Sequence, residues 1–97
     1  MIEQLDKTYE QLKVLRNKAN TKEAFDKIRS QMDTINMQRQ KILNAAINEA
    51  TGEYQAAIDH LNEAQPLIES AIHDMNKIAD AINKVATVIS QVEKVLV

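Results

Sequence analysis

The chain contains no cysteine and no tryptophan, and only one glycine, one proline and three aromatic residues in 97. Each shortage excludes something. Without cysteine there is neither a disulfide framework nor a thiolate metal site. One glycine and one proline cannot supply the turns that a sheet protein needs about every 8–12 residues. A single glycine cannot build a phosphate-binding loop. Tyr9, Phe25 and Tyr54 are too few for an extended stacking platform for single-stranded nucleic acid. No window approaches the roughly 18 apolar residues of a membrane-spanning helix. The opening Met-Ile-Glu-Gln-Leu-Asp-Lys lacks the basic stretch and apolar run of a secretory signal. Together these features lead us to expect a soluble, cytoplasmic protein.

What remains is Ile, Leu, Val, Met and Ala at helical spacing. From Leu61 the apolar residues fall alternately three and four apart: Leu61, Ala64, Ile68, Ala71, Met75, Ile78, Ile82, Val85, Ile89, Val92, Leu96. A 3.5-residue period holds one seam on one side of an α-helix, ready to pack against another helix. The last segment, residues 78–97, is apolar at twelve of twenty positions, and Ala81, Ala86 and Val88 widen its stripe beyond the seam. A lone surface helix would not carry so much apolar surface.

Upstream, Ile2, Leu5, Tyr9, Leu12, Leu15 and Ala19 mark a first amphipathic helix. The phase jumps at Asn20-Thr21, where Thr21 can cap a new helix and Glu23 complements its first turn. The second seam runs Phe25, Ile28, Met32, Ile35, Arg39, Ile42 and Ala46. Arg39 is its discordant member, read as a side chain that lays its stem on the core and keeps its head in water. The only glycine, Gly52, stands where a helical hairpin would turn. Helical phase nevertheless survives across it, through Leu43, Ile47, Ala50, Tyr54, Ala57 and Leu61. Pro66 falls within the long seam without disturbing its phase, which predicts a kink rather than a break.

The expected architecture is therefore all-α: an antiparallel helical bundle or long helical hairpin with coiled-coil-like packing. Its helices span about residues 2–19, 21–50 and 53–97, the last kinked at Pro66. The third helix, about 66 Å long at 1.5 Å per residue, would outreach the second at about 44 Å. Its overhang predicts self-association or cover by a target protein.

Charge is uneven. Residues 1–51 carry nine Lys and Arg against seven Asp and Glu, whereas residues 52–97 carry three against seven. The two halves are expected to lie side by side, with charge choosing orientation more than adding stability. The basic residues Lys13, Arg16, Lys18, Lys22, Lys27, Arg29, Arg39 and Lys41 are interrupted by Glu23, Asp26 and Asp33. That pattern argues against a nucleic-acid partner, which favours a cleaner basic face.

Reactive chemistry finds little support. His60 has Glu63 at i+3 and His73 has Glu69 at i−4, spacings that can place two ligands on one helix face. The two histidines point to opposite sides of a straight helix, so they read as solvated side chains with ion-pair neighbours. Glu49 and Glu53 lack the Glu-x-x-His pattern of a di-metal bundle. Ser30, Ser70 and Ser90 have no suitably spaced activating histidine, although Ser70 and His73 share a helix face. No catalytic residue, metal or cofactor is predicted, and the protein is read as non-enzymatic. Sixteen Asn and Gln residues decorate the helices, and some are expected to set register inside an interface.

Length, helical pattern and the mid-chain glycine resemble the small helical-hairpin secreted proteins of the ESX type. The turn Thr51-Gly52-Glu53-Tyr54 has no Trp-x-Gly, and Tyr9 and Tyr54 are followed four residues on by Lys13 and Ile58 rather than an acid. No family is assigned on that basis. The expected function is a protein–protein interaction module, such as an adaptor, chaperone, inhibitor or immunity-type protein. Its partner, or a second copy of the chain, would meet Ile78, Ile82, Val85, Ile89, Val92 and Leu96. The alternative is interfacial membrane binding by residues 76–97, where Lys77, Lys84 and Lys94 accompany the apolar stripe.

Overall fold

A computed structural model describes residues 1–97 as four helices: α1 (Ile2–Lys18), α2 (Lys22–Asn44), α3 (Gly52–His73) and α4 (Ile78–Leu96), the last preceded by a 3₁₀ turn at Met75–Lys77. There are no strands. The helices form a bundle 40 Å long and about 20 Å across.

Local chemistry marks each turn. Thr21 is extended (φ −132°, ψ 150°), and its hydroxyl accepts from the Ala24 amide at 3.1 Å. Thr51 caps α3 in the same way, accepting from the Tyr54 amide at 3.2 Å. Asp74 accepts from the Asn76 amide at 3.0 Å, while its own amide donates to the Ser70 carbonyl. Each cap satisfies one of the amides a helix start leaves without an internal partner.

The short turns at residues 19–21 and 74–77 make α1–α2 and α3–α4 antiparallel hairpins. The hairpins then lie side by side, so α1 runs parallel to α3 and α2 parallel to α4. Around the bundle the order is α1, α2, α4, α3. Residues 45–51 connect the diagonal pair α2 and α3 across one end. One core runs through the middle: Leu5, Leu12 and Leu15 from α1, Ile28, Met32 and Ile35 from α2, Ala57, Leu61, Ala64 and Ile68 from α3, and Ala81, Val85, Val88 and Val92 from α4. Fully burying each Leu, Ile or Val contributes about 1.5–3 kcal/mol. The alanines on α3 let its neighbours approach closely.

The structure differs from the sequence expectation at three places. The second helix stops at Asn44 rather than near 50: Ala45 turns extended (φ −105°, ψ 150°) and the chain leaves to cross the bundle end. The long third helix is two helices. Asp74 ends one and its side chain starts the next, yet the apolar spacing Ala71, Met75, Ile78 happens to continue through the reversal. The overhang disappears with that reversal, because four helices of similar length close a core within one chain. Pro66, by contrast, lies inside α3, exposed, and the helix continues through it.

Candidate interaction surface

The six residues singled out on the last helix divide into two groups. Val85 and Val92 are fully buried in the bundle core. Ile78, Ile82, Ile89 and Leu96 are only half covered, packed against the edge of the core. The face that α4 turns inward is Ala81, Val85, Val88 and Val92, a little rotated from the 3.5-residue seam. The rotation leaves the isoleucines on the shoulder that faces α2. There, Thr21, Glu23, Ala24 and Lys27 of the α2 start and Ile78, Ala79, Ile82 and Asn83 of α4 line a groove open to solvent.

Below that groove the α2–α4 contact is polar. Gln31 donates Nε2 to the Ile82 carbonyl at 2.8 Å, and one heptad on Gln38 donates to the Ile89 carbonyl at 2.9 Å. Gln38 Nε2 also reaches Glu93 Oε1 at 2.9 Å. On the opposite side, Gln11 donates to the Gln65 carbonyl at 3.3 Å, tying α1 to α3. All three amides leave Oε1 buried with no hydrogen-bond partner, as are Gln4 Oε1 and the Thr8 hydroxyl. Glutamines at heptad positions thus bridge both parallel helix pairs. Gln38 occupies the buried place that the sequence pattern assigned to Arg39. Arg39 turns aside and pairs with Asp6 of α1 through Nε and Oδ1, 2.5 Å apart.

The α3–α4 side carries a cluster that the sequence alone did not assemble. Lys84 Nζ lies 2.6 Å from Glu63 Oε2 and 2.9 Å from His60 Nδ1. The hydrogen bond from Lys84, aided by its charge, holds the Glu63 carboxyl below its usual range. The sequence paired His60 with Glu63 correctly, but Lys84 is 24 residues further on and is brought in by the chain reversal. His73 meets only Glu69, at 3.2 Å, on the exposed side. Burial raises the Tyr54 phenol, and the nearby Glu49 carboxylate adds to the effect. No group of three or more His, Cys, Asp or Glu side chains is placed to hold a metal ion. The Lys84 contacts link α3 to α4, whereas His73–Glu69 lies within α3.

The methionines separate by burial: Met32 is in the core, Met75 is half covered, and Met37 is exposed on the outside of α2. Phe25 is also turned outward, with the Arg16 guanidinium 5.7 Å from its ring centre. No helix is long and apolar enough to cross a membrane. No family model, curated protein or solved structure matches this chain.

Proposed function

We infer that the protein is a non-enzymatic helical interaction module whose protein partner docks on the outer shoulder of its last helix. The half-covered row Ile78, Ile82, Ile89 and Leu96 carries this reading. These side chains are spaced four, seven and seven apart, beside an open groove against α2. An amphipathic helix laid there with apolar residues at i, i+3 or i+4, and i+7 would cover them. Polar Glu23, Lys27 and Asn83 at the rim would orient it. The Gln11, Gln31, Gln38, Arg39 and Lys84 contacts bridge helices, a structural use of polar groups that supports a binding role over a catalytic one.

Removing α4 would strip the core of Ala81, Val85, Val88 and Val92, so a truncation tests folding rather than binding. The informative change is Ile78→Gln with Ile82→Gln, compared with Met37→Gln on the outside of α2. The double variant is expected to keep its helical circular dichroism and lose the partner that the wild type captures. The Met37 variant should keep it. Equal affinity of both variants for the same partner would refute the reading.

A further inference from the structure

We propose that residues 45–51 are a hinge that straightens into helix, and that two chains then exchange hairpins to form a domain-swapped dimer. The hinge is Ala-Ala-Ile-Asn-Glu-Ala-Thr, with three alanines and neither glycine nor proline within it. Alanine is the best helix former, so this composition favours a conformation the bundle does not give it. All of these residues except Ile47 and Thr51 are exposed, so little packing holds the irregular form. Gly52 follows, yet the turn does not use its freedom: its φ is not positive. A Cβ added there would meet nothing within 4 Å.

Helical phase runs through the hinge without a slip, as Leu43, Ile47, Ala50, Tyr54, Ala57 and Leu61. At about 100° per residue, the core face of α2 and the core face of α3 would differ by less than about 60° on one continuous helix. Both would then look toward one common core.

The remaining contacts suit an exchange. Each hairpin keeps its own turn and its own ion pair, Arg39–Asp6 in the first and Lys84–Glu63 in the second. The glutamine bonds and core contacts between hairpins re-form identically with the other copy's hairpin. The two states therefore differ mainly at the hinge. Closed, the hinge offers a 3.3 Å bond from the Ala45 amide to the Ile42 carbonyl, a 3.5 Å bond from the Thr51 amide and a 3.2 Å bond from the Thr51 hydroxyl to the Asn48 carbonyl, a 3.0 Å bond from the Ala50 amide to Asn48 Oδ1, a 3.3 Å bond from the Tyr54 hydroxyl to the Glu49 carboxylate, and the Thr51 cap, nearly all of them local and solvent-exposed. Straightened, it supplies partners to the last carbonyls of α2 and the first amides of α3, which a helix end otherwise leaves unmatched. Exchange of identical elements is a low-cost route to a dimer. It needs no partner protein at the α2–α4 groove and stands apart from that reading.

The swapped form has a distinct shape. A continuous helix over residues 22–73 would measure about 78 Å at 1.5 Å per residue, against the 40 Å length of the closed bundle. Because the chain has no cysteine, Ser30→Cys with Glu69→Cys admits two spin labels at exposed sites on α2 and α3. In the closed monomer these sites lie on outer surfaces of diagonally opposed helices, in a bundle about 20 Å wide. In the swapped dimer they lie about 58 Å apart along one helix. The test refolds the labelled chain with excess unlabelled chain at high protein concentration, then measures mass by light scattering and the intrachain distance by pulsed electron resonance.

A dimer with the long distance is expected. Thr51→Ala removes a cap that only the closed form uses. Each lost cap is worth about fivefold, so with two chains per dimer the dimerisation constant should rise about 25-fold. Inserting Gly-Gly after Asn48 should return the chain to monomer. If Thr51→Ala loses its helical circular dichroism, the wild-type distance decides alone. A chain that stays monomeric at every concentration, or a dimer that keeps the short distance, overturns the proposal.

Discussion

Gln38 is the most informative side chain to change. It is 1% exposed at the centre of the α2–α4 contact, and its amide nitrogen donates to both the Ile89 carbonyl and Glu93. Its amide oxygen is buried without a partner. The bond to the Ile89 carbonyl stabilises by about 0.5–1.5 kcal/mol and the bond to the exposed Glu93 carboxylate by about 1.5 kcal/mol, the low end for a charged partner, while an unsatisfied buried acceptor costs about 1–3 kcal/mol. These contributions nearly cancel. Gln38→Leu fills the same space, removes both bonds and also removes the stranded oxygen. Its stability should lie within about 1 kcal/mol of the wild type. Gln38→Ala removes the bonds and also leaves a cavity, so it should be destabilising by about 2–3 kcal/mol. Urea unfolding followed by far-UV circular dichroism separates the two variants. In a domain of this size a change of 1 kcal/mol also moves Tm by about 4–8 °C. If Gln38→Leu proves as damaging as Gln38→Ala, the glutamine is a net stabiliser and the cancellation argued from its unpaired oxygen is wrong. If the two variants diverge as expected, the glutamine row acts by holding one register between parallel helices rather than by adding stability.

Two further outcomes follow from the same structure. Pro66 is exposed inside α3, where it supplies no amide and crowds the Asn62 carbonyl; Pro66→Ala should raise stability by about 2–2.5 kcal/mol, after allowing for the proline's stiffening of the unfolded chain. A lower Tm for that variant would contradict it. Glu63 has a folded pKa below its ordinary value because of Lys84, so its stabilising contribution is full above the ordinary carboxylate range. It is lost as pH falls through the lowered value, because the unfolded chain binds the proton first. Lys84→Met should flatten that part of the stability–pH curve, and an unchanged slope would show that the pair is not responsible.

Much of the fold was legible because helices write their buried face into the chain at fixed spacing. Leu5, Leu12 and Leu15, then Ile28, Met32 and Ile35, announced two amphipathic helices, and Thr21 marked the start of the second. The same spacing hid the third turn. Ala71, Met75 and Ile78 keep helical phase through a chain reversal, so periodicity alone read α3 and α4 as one rod. The local signal was Asp74, whose side chain reaches an amide two residues on, but an aspartate inside a long seam is weak against eleven apolar positions. The candidate surface was legible only in part. Ile78, Ile82, Ile89 and Leu96 were correctly placed on one stripe with Val85 and Val92, but how that stripe divides between core and shoulder depends on the rotation of α4 in the bundle.

The sequence by itself determined that the chain is helical, that its helices need one another, and that cysteine-based and glycine-loop chemistry are excluded. Composition and period suffice for this because they act residue by residue. Tertiary structure alone decided that the long seam folds back at Asp74 and closes its own core. It also selected Gln38 over Arg39 for the interior and brought Lys84 to His60 and Glu63. Those outcomes depend on which helices become neighbours, and the two hairpins meet through contacts about 51 residues apart in the chain. No local pattern encodes that separation; the packing of four helices around one axis does.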